Sequence, residues 1–176
     1  MLFRSGGACG DTARVRGVTG GGWGRHTSLS LANTSDTRLL DLLAETAREL
    51  VDRLDATASS ISRAIGDVLI QVTEYASDGR TLLMGTGYLV PDYPLTQIVL
   101  ASREPRAMTL ADPDVDPAEA RVLRNLEFAS LLMLPLEIGG RAWGLVEVYR
   151  AEPVPFTADD MRVATEILAR TSARAG

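Results

Sequence analysis

The residues able to do chemistry are few and unevenly placed. The only histidine, His26, and the only cysteine, Cys9, stand within the first 33 residues, and the chain has no lysine at all. From residue 34 onward there is therefore no imidazole or thiol to act as a nucleophile, as its activating base or as a soft metal ligand. A Schiff-base lysine and a phosphate-loop lysine are absent as well. The all-arginine basic set is the signature of a GC-rich genome rather than of a particular chemistry. What remains are carboxylates, hydroxyls, guanidinium groups and aromatic rings. Asp112, Asp114, Asp116 and Glu119 could offer oxygens to a divalent cation. Pro113 and Pro117 break the alternation that a calcium loop needs, so the run reads as a solvated acidic loop and no metal site is expected. Arg103 and Arg106 flank Glu104-Pro105 and could hold an anion; pairing with neighbouring acids is the plainer reading. Tyr75, Tyr88, Tyr93, Phe128, Trp143 and Tyr149, with Phe156, are the aromatic residues of this part. Rings with a few polar groups among them are what a small-molecule pocket needs, apolar area with fixed hydrogen-bond directions.

These side chains are positioned by a chain of 176 residues, 45% of them hydrophobic, long enough for one domain with a sizeable core. Residues 1–33 are Gly/Arg-rich without helix or strand period and are expected to be disordered. Their opening, MLFRS, resembles the translated end of a common sequencing adapter, which puts the natural origin of this segment in question. It lacks the continuous apolar core of a signal peptide. No apolar run anywhere approaches the roughly 18 residues of a membrane span, so no membrane partner and a cytoplasmic location are expected. The net charge of −5 divides into +3 over residues 1–35 and −8 over the rest, which argues against a nucleic-acid surface on the folded part.

A helix is expected from Asp36 to about Leu54, with Leu40, Leu43, Ala47, Leu50 and Leu54 at 3-4 spacing on one face. That seam suits packing on the chain's own sheet and equally suits pairing with a second copy. A hairpin follows, turning at Gly66-Asp67, whose second strand puts Leu69, Gln71, Thr73 and Tyr75 on one face and Val68, Ile70 and Val72 on the other. A short helix over 95–102, an edge strand over 105–110 and a helix opening at Pro117 fill the middle. Residues 129–149 form a second hairpin turning at Gly139-Gly140. Pro135 demands a bulge or an unpaired edge there, and Gly144 marks a close approach of backbone. The last helix starts at Thr157, with Asp160 completing its cap, and Met161, Ala164 and Leu168 repeat the 3-4 seam. Antiparallel strands bracketed by helices make an α+β fold.

In this order the segments resemble GAF domains over about 140 residues, from Asp36 to Ala175. The resemblance rests on SSISRAIGDVLIQVTEY, YPLTQIVLASREP, LRNLEFASLLMLPLEIGGRAWGLVEVYR and PFTADDMRVATEIL. It implies a GAF-like, PAS-related fold over residues 34–176, with a central antiparallel sheet of five or six strands flanked by N- and C-terminal helices. It also implies a ligand pocket between the sheet and the segments over its other face. Tyr75, Tyr88, Tyr93, Thr96, Phe128, Trp143 and Glu147 are the pocket candidates; Leu40, Leu43, Ala47, Leu50, Leu54, Met161, Ala164 and Leu168 are the candidates for a homodimer seam through the terminal helices. Family members that carry haem use a histidine and those that attach bilins use a cysteine, so no cofactor is expected here. Members that reduce methionine sulfoxide need several cysteines, and cyclic-nucleotide binders carry an Asn-Lys signature that this chain lacks. The implied role is that of a bacterial, non-enzymatic regulatory domain. It would bind an unidentified small molecule and pass a conformational bias through its terminal helices to a kinase, cyclase or phosphatase output, as a fragment of such a protein or its stand-alone partner. The alternative is a ligand-free dimerisation module of a signalling protein.

Overall fold

The computed structural model describes residues 34–82 and 85–176; the expectations for residues 1–33, with Cys9 and His26, lie outside them. The chain runs α1 (Thr34–Arg53), β1 (Ala58–Ile65), β2 (Val68–Ala76), β3 (Gly87–Leu89), a 3-10 turn (Val90–Asp92), α2 (Pro94–Ser102), β4 (Arg106–Thr109), α3 (Pro117–Asn125), β5 (Ser130–Ile138), β6 (Arg141–Arg150) and α4 (Ala158–Ala175). The strands form one antiparallel sheet of six in the order β3-β2-β1-β6-β5-β4. Both hairpins turn where two residues can accept the geometry. Gly139 and Gly140 have φ of 60° and 72°, and Gly66 has φ of 58°, values that cost a glycine nothing.

α1 and α4 pack together on one face of the sheet. The apolar stripe Leu43, Ala47, Leu50 and Leu54 is buried there against Ile61, Leu132, Leu134, Leu136, Val146 and Val148, and α4 adds Ala164, Ile167 and Leu168. Burial of that stripe, rather than intrinsic helix propensity, is what holds α1 in place. The Thr46 and Thr171 hydroxyls meet at 2.8 Å between the two helices, and Arg174 pairs with Glu45 at 3.1 Å on the outside. α4 begins with a full capping box: Thr157 Oγ1 accepts from the amide of Asp160, and the Asp160 carboxylate accepts from the amide of Thr157. Arg150 ties this corner together by donating to the carbonyls of Leu54 at 2.7 Å and Pro155 at 2.9 Å.

The opposite face is covered by α2, α3 and the segments around them. Leu69, Val99, Leu123, Phe128, Leu131, Met133, Leu145 and Tyr149 form the second core there. Two β-bulges decide which side chains reach it. In the β1–β2 pair, Ile61 lies opposite Thr73 while the next residue, Ser62, lies opposite Gln71, so Val72 is one residue too many. A single extra residue reverses the alternation beyond it. Leu69 and Gln71 therefore face α2 and α3, while Thr73 and Tyr75 turn to the α1–α4 face. The alternation expected from the sequence, with all four on one side, is corrected at this point. In the β5–β6 pair, Leu136 faces Gly144 and Glu137 faces Ala142, leaving Trp143 as the extra residue. Trp143 accordingly packs with the α1–α4 core, under the guanidinium of Arg63 at 4.7 Å. Beside it, a Cβ on Gly144 would stand 1.9 Å from the carbonyl oxygen of Ser62, so only glycine lets β6 lie this close to β1.

Candidate functional site

A cavity of about 220 Å³ lies between the sheet and its second cover. Its floor is sheet, with Gln71 from β2 and Glu147 and Tyr149 from β6, and its far wall is α3, with Glu119 and Val122. Its roof is the segment through β3, contributing Thr86, Gly87, Tyr88 and Tyr93.

Each polar side chain has a definite reason to be there. Asp116 caps α3, its Oδ1 accepting from the amides of Ala118 at 2.9 Å and Glu119 at 3.1 Å. That cap fixes the helix so that Glu119, Ala120 and Leu123 share the inward face. Glu119 is only 2% exposed, and its Oε1 accepts from Thr96 of α2 at 2.8 Å. Glu147 is 7% exposed, alternating along β6 with Val146 and Val148, which point to the other core. Ser60 Oγ donates to its Oε2 at 3.4 Å and lies 3.5 Å from the Tyr149 hydroxyl. Tyr149 is stacked on Phe128 with centroids 4.8 Å apart, and Tyr88 meets Tyr93 edge to face at 4.9 Å. The Tyr88 hydroxyl is buried near Thr96 and Glu147 but makes no hydrogen bond of good geometry to either.

Electrostatically the cavity is acidic, and its carboxyl groups are buried. Burial pushes the Glu147 carboxyl up to about 8, and the nearby charge of Glu119 adds to the rise. Burial likewise pushes Glu119 up to about 7, the Thr96 hydrogen bond opposing the rise and Asp116 reinforcing it. Tyr88 and Tyr149 are raised for the same reason, burial first and the Glu147 charge second. None of the lining residues is basic.

Of the pocket candidates named from the sequence, the structure brings Tyr88, Tyr93 and Glu147 to this cavity. Thr96 stands one hydrogen bond behind it and Phe128 one ring behind it. The bulges carry Tyr75 and Trp143 to the α1–α4 face. Gln71, Glu119, Val122 and Tyr149 line the cavity without having been candidates. Glu119 had a legible signal, since it lies four residues before Leu123 and seven before Leu126 on the inner face of α3, but the surrounding aspartates made it look like part of a solvated loop. Among the described residues no cluster of acids, cysteine or histidine is arranged to hold a metal ion. Arg103 pairs with Glu137 and Arg106 with Glu104, each at 3.1 Å.

The seam candidates are placed just as definitely. Leu43, Ala47, Leu50, Leu54, Ala164 and Leu168 are buried within this chain, and Met161 packs at the edge of the same core. Leu40, at 46% exposed, is the one left facing solvent. The buried ones pack against the sheet and the other terminal helix of the same chain.

The family model for the GAF domain matches this chain over residues 38–175, which hold the sheet, the cavity over it and the terminal helices on its other side. The chain belongs to the GAF domain family. Solved structures agree on the fold. The blue-light absorbing form of the Thermosynechococcus elongatus PixJ GAF domain is 16% identical, with a TM-score of 0.69, over 83% of this chain and 89% of that one. The phycocyanobilin-bound GAF domain of a cyanobacterial phytochrome is 20% identical, with a TM-score of 0.66, over 81% and 88%. The GAF domain of a two-component sensor histidine kinase from Bacillus halodurans is 16% identical, with a TM-score of 0.60, over 76% and 90%. No curated protein sequence matches the chain. Among the described residues no helix is long and apolar enough to cross a membrane.

The similarity to bilin-bound GAF domains overturns the expectation that no cofactor is used. That expectation rested on the lack of a cysteine in the folded part. A missing thiol rules out a thioether from residues 34–176, but not a group held by packing and hydrogen bonds.

Proposed function

We propose that this GAF domain is a non-catalytic regulatory module whose cavity takes a small ligand and reports occupancy through its terminal helices. The observation that carries this is the cavity itself: two buried carboxylates and three tyrosines converge on it from sheet, helix and roof, and one of those tyrosines has an unpartnered hydroxyl. Buried polar atoms without partners are rare in a settled core, and one on a residue that lines a cavity is placed for a ligand to supply the missing bond. A linear tetrapyrrole, the group of the bilin-bound relatives, does not fit the cavity in this conformation. At about 220 Å³ the space is below the roughly 300–1,000 Å³ of sites for drug-sized ligands, and a tetrapyrrole's carboxylates would add to two already buried.

β6 supplies the route outward. Glu147 and Tyr149 point into the cavity while Val146 and Val148, between and beside them, pack under α1 and α4. A ligand that draws on Glu147 moves a strand whose other side is the floor of the helix pair. Occupancy then shifts the balance between two packings of α1 and α4, by no more than the ligand's difference in affinity for them.

Native mass spectrometry of the full chain tests the ligand. The wild type should carry an extra small mass that is lost on denaturation, and Val122→Trp, which fills the cavity from α3, should lack it. The same mass on both proteins would place the ligand elsewhere.

A further inference from the structure

Resting on that reading of the cavity, we propose that its ligand is a small organic ammonium ion, held by Glu119 and Glu147 and faced by the rings of Tyr88 and Tyr93. Three observations converge. The two carboxylates are 2% and 7% exposed and open into one cavity, and none of the residues lining it is basic. Two buried acids without a counter-charge are costly to the fold, and removing or supplying a partner changes that cost strongly. An ammonium group supplies the charge directly; a carboxylate or phosphate ligand would add repulsion to it.

The second observation is the Tyr88 hydroxyl, a buried oxygen with no partner. An N–H donor arriving beside Glu147 satisfies it, whereas a quaternary ammonium would not. The third is the ring pair. Tyr88 and Tyr93 stand at 73° to one another, 4.9 Å apart, and both line the cavity, so two π-systems border whatever lies in it. A cation is drawn to the negative face of such a ring. The volume sets the size: about 220 Å³ suits an alkylammonium of a few carbons.

Binding of a cation must compete with protons here. The groups facing the pair are Tyr149 on β6, Tyr88 and Tyr93 in the roof, and Asp116 at the start of α3; Glu74 on β2 lies beside Gln71 and also accepts from the amide of Leu82. Burial holds the proton on Glu147 up to about 8 and on Glu119 up to about 7, so an ammonium ion binds with release of protons and its affinity rises with pH.

The test is calorimetric titration of the full chain with three four-carbon probes of different charge: butylammonium, 1-butanol and butanoate. Butylammonium should bind at least tenfold more tightly than 1-butanol at pH 8, more weakly at pH 6, and with proton release. Butanoate should bind more weakly than 1-butanol. Glu147→Gln should abolish the preference for the cation over 1-butanol, and Glu119→Gln should reduce it. Equal binding of 1-butanol and butylammonium, or tighter binding of butanoate, overturns the ammonium proposal and leaves the cavity reading standing. So does an equal loss of all three probes in Glu147→Gln. Absence of binding by all three also overturns it, and the cavity reading then falls only if Val122→Trp carries the same mass as the wild type.

Discussion

The two faces of the sheet are built on different terms. Under α1 and α4 the core is mainly aliphatic, the threonine hydroxyls between the helices bond one another and the carbonyls of their own helices, and Arg150 is engaged with backbone carbonyls and the Asp160 carboxylate. One buried polar side-chain atom on that face, Ser59 Oγ, lacks a partner. Under α2 and α3 the same sheet buries two carboxylates and leaves both Ser62 Oγ and Tyr88 Oη unpartnered. The difference teaches where stability and where function are located. The first face gains by burying apolar area and gives up little to polar groups, with Ser59 Oγ as its one unpartnered atom; the second keeps groups that oppose folding, as a binding site does.

The comparison can be broken from either side. Leu50→Ala, on the helix face, removes a side chain buried to 0% exposure, and truncations of this kind cost about 2–5 kcal/mol. Urea denaturation should show this loss; an unchanged midpoint would mean that α1 is not held by its apolar stripe. Glu147→Gln, on the roofed face, should have a smaller effect whose size depends on pH. Glu147 keeps its proton up to about 8 when folded, against 4.5 for an ordinary glutamate, so the folded protein binds that proton more tightly than the unfolded chain does. Stability from this source is present in acid and lost as pH rises from about 4.5 to about 8, and Glu119 contributes with the same sign up to about 7. Denaturation between pH 5.5 and 8.5 should therefore show the wild type losing stability with rising pH and Glu147→Gln losing less. Parallel curves would mean that Glu147 is already ionised and solvated.

The same asymmetry explains what the sequence made legible. Turns and caps are local, so Gly139-Gly140, Gly66-Asp67 and the Thr157–Asp160 box could be read residue by residue, and the order of elements followed from them. The leucine stripe of α1 was equally plain, although spacing alone could not say whether its partner was a sheet or a second copy. Face assignment depends on alternation, and one extra residue at Val72 and another at Trp143 reverses it. Neither residue type announces a bulge, since Val and Trp are ordinary strand formers. Tyr75 and Trp143 were therefore grouped with a cavity that they do not touch. Glu119 was hidden for the opposite reason, its inward spacing masked by three aspartates in the preceding turn.

The state of the cavity should be felt on the helix face through β6, whose side chains alternate between the two. Hydrogen–deuterium exchange of the full chain, wild type against Val122→Trp, tests it most directly because the tryptophan fills the cavity without any ligand. Altered protection in β6 and α4, as well as in α3, is the predicted result. Changes confined to α3 and the roof over residues 85–93 would contradict the account and leave the cavity without a route to the terminal helices.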